Sequence, residues 1–139
     1  MIGLADCNNF YASCERVFNP RLKNEAVIVL SNNDGCVIAR SNEAKKLGVR
    51  MGVPVFKIKE TISKYNINVF STNFALYGDM SERVMNTLKS EVDEVEIYSI
   101  DEAFLNFSDF IDRDRAIQIK KKVKQWTGIP VSIGIAPTK

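Results

Sequence analysis

The most constraining stretch is Tyr98-Ser99-Ile100-Asp101-Glu102-Ala103-Phe104-Leu105, where two adjacent acids interrupt an otherwise apolar β-hairpin. Val95, Ile97, Tyr98 and Ile100 on one flank, and Ala103, Phe104, Leu105 and Phe107 on the other, favour strand and at least partial burial. On such a platform two carboxylates repel each other and lose hydration, a cost that a divalent cation offsets better than a monovalent side chain. Taken alone, the pair also reads as a solvated hairpin turn, because acidic residues are common in turns.

A third carboxylate adds weight to the metal reading. Met1-Ile2-Gly3-Leu4-Ala5-Asp6 is a short apolar run that stops at an acid before Asn8-Asn9 and a helical pattern, which puts Asp6 at the carboxyl end of a strand. Helix capping is the other role open to Asp6, although Asn8 or Asn9 can fill it. If the first strand lies beside the hairpin in one sheet, Asp6, Asp101 and Glu102 converge on one edge. Hard oxygen ligands of that kind suit Mg²⁺, which keeps waters and takes further ligands from substrate phosphates.

Composition narrows the chemistry. The 139 residues include no histidine, and the three cysteines, Cys7, Cys14 and Cys36, form no CxxC pair. A zinc centre, a histidine-based triad and a disulfide framework are therefore not expected. Cys7 and Cys14 are seven apart, at helical spacing, and are expected as small core residues in a reducing compartment. With 45% apolar residues the chain can bury a real core as one or two compact units. A net charge of +2 is too balanced to indicate a nucleic-acid partner by itself. The longest aliphatic run, 26–30, is far too short to span a membrane, so a cytoplasmic protein is expected.

From Asn9 onward Phe10, Tyr11, Cys14, Val17 and Phe18 repeat at helical spacing until Asn19-Pro20. Phe10 and Tyr11 read chiefly as packing residues, yet lying four and five residues after Asp6 they leave open a ring beside whatever Asp6 binds. Residues 26–30 and 36–39 are two strands joined by Ser31-Asn32-Asn33-Asp34-Gly35, a small two-stranded unit. A short helix follows, with Ser41 as its N-cap and Gly48 just past its end. A helix start with Arg40 and Lys45 nearby suits either a triphosphate cradle or a solvated basic face.

Weak helical order follows through 49–68, then a short strand at Val69-Phe70 and a long amphipathic helix over 75–88 that tolerates Gly78. A second long helix over 112–126 is expected to turn Ile117, Ile119, Val123 and Trp126 inward, with Lys120, Lys121, Lys122 and Lys124 outward. Gly128 ends it, and 130–135 is a last strand. Setting aside 21–70, the order is strand, helix, helix, strand, strand, helix, strand. That is the α+β, ferredoxin-like split βαβ layout with an inserted small lobe, and it hosts polymerase palms, nucleotide cyclases and RNA-binding domains alike.

Four ordered motifs narrow the choice: Ala5-Asp6-Cys7-Asn8-Asn9-Phe10-Tyr11-Ala12-Ser13-Cys14-Glu15, Asn33-Asp34-Gly35-Cys36-Val37-Ile38-Ala39-Arg40-Ser41, Leu76-Tyr77-Gly78-Asp79-Met80-Ser81 and Tyr98-Ser99-Ile100-Asp101-Glu102-Ala103-Phe104. Together they resemble the motifs of Y-family translesion DNA polymerases, most closely the UmuC type found in bacterial DNA polymerase V. The resemblance implies error-prone, template-directed DNA synthesis in DNA damage repair by a two-metal mechanism. Asp6, Asp101 and Glu102 would be the catalytic acids and would bind two Mg²⁺ ions, with the Cys7 main-chain carbonyl as a further ligand. Tyr11 would be the steric gate against a ribose 2′-hydroxyl, with Phe10 beside it. Arg40, Asn42 and Lys45 would meet the nucleotide and its triphosphate, although many relatives carry Tyr and Arg where this chain has Asn42 and Lys45.

The resemblance also implies a palm at 1–20 and 71–139 and a fingers lobe at 21–70. The thumb, the little finger and the rest of the palm would lie beyond Gly134-Ile135-Ala136-Pro137-Thr138-Lys139, so residues 1–139 alone are expected to fold without polymerising. Primer-template DNA and a deoxynucleoside triphosphate are the implied substrates. A UmuD-type subunit, a RecA filament and a sliding clamp are the implied protein partners, with no membrane. Of the alternatives, a palm-fold nucleotide cyclase lacks a purine-recognition signal in this sequence. A non-catalytic RNA-binding domain would stack bases on Tyr98, Phe104 and Phe107, but acids in the hairpin would repel the phosphate backbone.

Overall fold

The computed structural model describes residues 1–108 and 111–137. Thr138 and Lys139, the end of the last run quoted above, lie outside the described residues. The chain divides into two compact units, Met1–Asn8 with Ala75–Lys139, and Asn9–Phe74.

In the first unit, β1 (Ile2–Cys7), α4 (Phe74–Glu91), β5 (Glu94–Ser99), β6 (Glu102–Asn106), α5 (Arg113–Thr127) and β7 (Val131–Ala136) follow one another as βαββαβ. The sheet runs β5-β6-β1-β7 with all neighbours antiparallel, the split βαβ order expected from the sequence. Strand β1 alternates: Gly3, Ala5 and Cys7 are buried, whereas Leu4 and Asp6 are exposed. Ala103, Leu105 and Phe107 are buried in the same rhythm. Met80, Val84, Met85 and Leu88 of α4 and Ala116, Ile119 and Val123 of α5 are the apolar helix faces, and α5 packs on β7. Glu91 ties the two helices, pairing with Arg115 at 3.2 Å and with Lys122.

Two expectations about burial are corrected here. Strand β5 forms, but it is an edge strand: Ile97 and Tyr98 are 51% and 67% exposed, and Tyr98 packs edge-on against Phe104 at 5.7 Å. Trp126, expected inward, is 63% exposed and lies under the Lys122 ammonium at 4.5 Å. It occupies the last turn of α5, where Thr127 takes the buried position, and the chain leaves the helix through Gly128 at φ 81 before burying Ile129.

The second unit holds α1 (Phe10–Val17), β2 (Val27–Leu30), β3 (Val37–Arg40), α2 (Asn42–Lys46), α3 (Lys59–Lys64) and β4 (Asn68–Phe70). Its sheet is three-stranded, β3-β2-β4, with β4 parallel to β2. The expected two-stranded unit therefore gains a strand, because a crossover through α2 and α3 returns the chain beside β2. All four residues of β2 are buried. Ile28 and Leu30 join a cluster with Val37, Ala44, Val49 and Ile67, while Val27 packs with Ala12 and Leu22. The hairpin turn is held by Asn33 Oδ1, which accepts from the Ser31 hydroxyl at 2.8 Å and from Gly35 N at 3.0 Å, and its left-handed residue is Asp34 at φ 57. Cys7 and Cys14 are both buried, but the first lies on β1 and the second on α1, so their spacing of seven does not place them on one helix.

Candidate metal centre

Antiparallel pairing of β1 with β6 sets Asp6 directly opposite Glu102, on the sheet face that carries exposed Leu4. Directly opposed residues have Cβ atoms about 5 Å apart, close enough for two carboxylates to share an ion. Asp101 joins them from the β5–β6 turn. Its backbone carbonyl accepts from Cys7 N at 2.8 Å, which anchors the turn to the end of β1. Its carboxylate accepts from the Ser99 hydroxyl at 2.9 Å, next to an irregularity in the ladder between Ile97 and Ser99. The Ser81 hydroxyl of α4 donates to Ile100 O at 2.5 Å and braces the same turn.

One ligand oxygen from each of Asp6, Asp101 and Glu102 lies within 4.8 Å of the others. Asp6 is exposed and the other two are half-buried. Partial loss of hydration, and then the charge of Asp101, push the Asp6 carboxyl above its ordinary value. Among the described residues, none of the three acids forms an ion pair with a lysine or arginine. Three hard donors with no protein cation between them fit a divalent ion. Burial and the same two aspartates push the Cys7 thiol up to about 12. A protonated thiol is a poor ligand, and the main-chain carbonyl is the donor that Cys7 offers.

The remaining residues singled out in the sequence belong to the second unit. Phe10 is buried and Tyr11 half-buried at the start of α1, with their rings 5.8 Å apart and tilted by 50°. Arg40, the last residue of β3, donates through Nη1 to Val49 O at 2.9 Å. Ser41 caps α2, accepting from Ala44 N at 3.2 Å. Asn42 and Lys45 are exposed on that helix, and both are held by one side chain: Asn9 Nδ2 donates to Asn42 Oδ1 at 3.0 Å, and Lys45 Nζ donates to Asn9 Oδ1 at 2.6 Å. Asn9 precedes α1 in the left-handed region at φ 49, and its side chain makes no capping hydrogen bond. In the sequence Asn9 stood out only as a cap; an asparagine at a helix start gives no sign of a partner 33 residues away.

The model of the impB/mucB/samB family matches residues 5–139. The chain belongs to this family. It is 53% identical to protein ImpB and 52% identical to protein UmuC (strain LT2), both of Salmonella typhimurium; each alignment covers the whole chain and 34% of the relative. The solved structure described as the insertion ternary complex of Dbh DNA polymerase superposes with a TM-score of 0.89 at 31% identity, over 100% of this chain and 43% of that one. The chain thus spans about a third of the length of the curated impB/mucB/samB relatives it matches. These likenesses bear out the resemblance carried by the four motifs, and they cover both units. Among the described residues no helix is long and apolar enough to cross a membrane.

Proposed function

We propose that this chain is the nucleotidyl-transfer part of an error-prone translesion DNA polymerase, with primer-template DNA and a deoxynucleoside triphosphate as substrates. The observation that carries the reading is the approach of Asp6, Asp101 and Glu102 oxygens to within 4.8 Å of one another from two strands and a turn. Membership of the impB/mucB/samB family and likeness to a polymerase ternary complex support it.

Asp6, Asp101, Glu102 and the Cys7 carbonyl would hold two Mg²⁺ ions. When bound, these ions supply Lewis acidity at the transferring phosphoryl group and lower the pKa of the attacking hydroxyl. The Ser99 hydroxyl keeps the Asp101 carboxylate turned to one orientation, so it needs no reorganisation when charge develops. Tyr11 selects the deoxyribose by excluding a 2′-hydroxyl, with buried Phe10 supporting its ring. Arg40, Asn42 and Lys45 receive the triphosphate, Lys45 as a point charge without the bidentate fork of an arginine. By this reading 1–20 and 71–139 form a palm and 21–70 a fingers lobe. A UmuD-type subunit, a RecA filament and a sliding clamp would engage the longer, cytoplasmic protein.

The test is primer extension by a chimera in which these residues replace the matching third of the ImpB relative. Extension with Mg²⁺ is expected, with a loss on the order of hundredfold or more for Asp101→Ala, the scale for one electrostatic stabiliser. Incorporation of ribonucleotides is expected for Tyr11→Ala. Near-normal extension by Asp101→Ala would remove the acids from the mechanism, and unchanged sugar selection would leave Tyr11 a packing residue.

A further inference from the structure

Asn9 is the residue of the second unit whose conformation and contacts a cap does not explain. Its backbone sits at φ 49, ψ 48, where asparagine is among the few non-glycine residues tolerated, and its side chain leaves the helix it precedes uncapped. The carboxamide spans instead to α2, using its oxygen for Lys45 Nζ at 2.6 Å and its nitrogen for Asn42 Oδ1 at 3.0 Å. An amide that accepts from one neighbour and donates to the other has one productive orientation, because flipping it would face N–H groups toward an ammonium. Lys45 is otherwise a long, exposed side chain with four rotatable bonds, and an ammonium binds phosphate without directional preference.

We propose that Asn9 is a positioning residue for triphosphate recognition. It holds the Lys45 ammonium at a fixed place on the edge of α2, with Asn42 locking the orientation of the amide, and so supplies the geometry that a guanidinium carries in its own fork. The contact also leaves two Lys45 protons for a phosphate, since an ammonium has three. This inference rests on the reading of Lys45 as a triphosphate contact.

The experiment is a double-mutant cycle on the 139-residue chain, titrating Mg·dATP to millimolar concentration and following affinity by NMR. Asn9→Gly is the informative variant, because glycine accepts φ 49 without strain while the side chain that carries the carboxamide is removed. It should weaken binding on the order of tenfold in the wild-type background, the scale of one hydrogen bond to a charged group. In the Lys45→Ala background it should weaken binding by less than about twofold, since coupled residues are non-additive. Asn42→Ala, at an exposed helix position where alanine folds readily, should weaken binding by about threefold in the wild-type background and by less in the Asn9→Gly background, where no amide is left to free. With dAMP, which lacks the outer phosphates, Asn9→Gly should have no effect. If Lys45→Ala leaves Mg·dATP affinity unchanged, the role given to Lys45 falls and the proposal falls with it. If Lys45→Ala weakens binding but Asn9→Gly does not, or does so equally in both backgrounds or with dAMP, the positioning role alone is overturned.

Discussion

The two sheets of this protein handle burial in opposite ways. In the first unit the strands alternate: Gly3, Ala5 and Cys7 are buried, while Leu4 and Asp6 lie on the face left open. In the second, β2 is buried along its whole length, with Ile28 and Leu30 in one apolar cluster and Val27 in another. A sheet with one open face can carry ionisable side chains on the strands themselves, and Asp6 and Glu102 stand opposite each other there. A strand covered on both faces has no room for charge, because an unpaired buried carboxylate would cost several kcal/mol. The polar groups of this unit that bear on the site stand at helix ends and strand ends: Asn9 before α1, Arg40 at the end of β3, and Asn42 and Lys45 in the first and last turns of α2.

The sharpest way to break this contrast is to truncate one aliphatic side chain on each sheet. Ile28→Ala removes a fully buried side chain and should cost about 2–5 kcal/mol. Leu4→Ala, at a position 40% exposed, should cost about 1 kcal/mol or less. Denaturant melts of the two variants measure the difference, and equal losses would mean that the open face is not open.

A smaller effect is expected at Glu91, which links α4 to α5. The hydrogen bond and charge of Lys122, followed by Arg115, hold its carboxyl below the usual carboxylate range. A lowered folded-state pKa contributes stability above the unfolded value near 4.5, and that contribution is lost as pH falls through the lower, folded-state value. Because both cationic partners are about a third exposed, Glu91→Gln should cost only about 1 kcal/mol at pH 7. Melts repeated at decreasing pH should show the gap between variant and wild type closing below pH 4.5. A gap that stayed constant would assign the loss to packing.

The smallest effect belongs to Asp6, and its sign is opposite. Partial loss of hydration and the charge of Asp101 raise its pKa, so the fold favours the protonated form and this group opposes folding increasingly as pH rises from 3.8 through the raised folded-state value. In the absence of divalent metal, Asp6→Asn should stabilise the chain at pH 7 by less than about 1 kcal/mol, since the group is largely solvated. Added Mn²⁺ should raise the melting temperature of wild type more than that of Asp6→Asn, because the ion rewards the deprotonated form. A destabilised Asp6→Asn without metal would show that the three acids are not in conflict.

Much of this protein follows from local pattern. Short apolar runs mark β1 and the hairpin of β2 and β3, helical spacing marks α4 and α5, and Ser41 and Gly128 stand as the cap and the helix stop that were expected. The three acids stood out because charge inside apolar strand sequence demands an explanation. What local pattern cannot supply is pairing. Asp6 meets Glu102 only in one register of β1 on β6, and a slip of one residue would send Asp6 to the core face. The same holds for β4, a three-residue strand that exists because β2 offers it a parallel edge. Exposure of Tyr98 follows from the edge position of β5, and exposure of Trp126 from where α5 meets its sheet; helical or strand periodicity is the same whether or not a neighbour covers that side. The reach of Asn9 to α2 is of this kind as well. An asparagine offers the same donor and acceptor to its own helix or to a distant one, and only the packing of β2 between α1 and α2 brings Asn42 and Lys45 within its length.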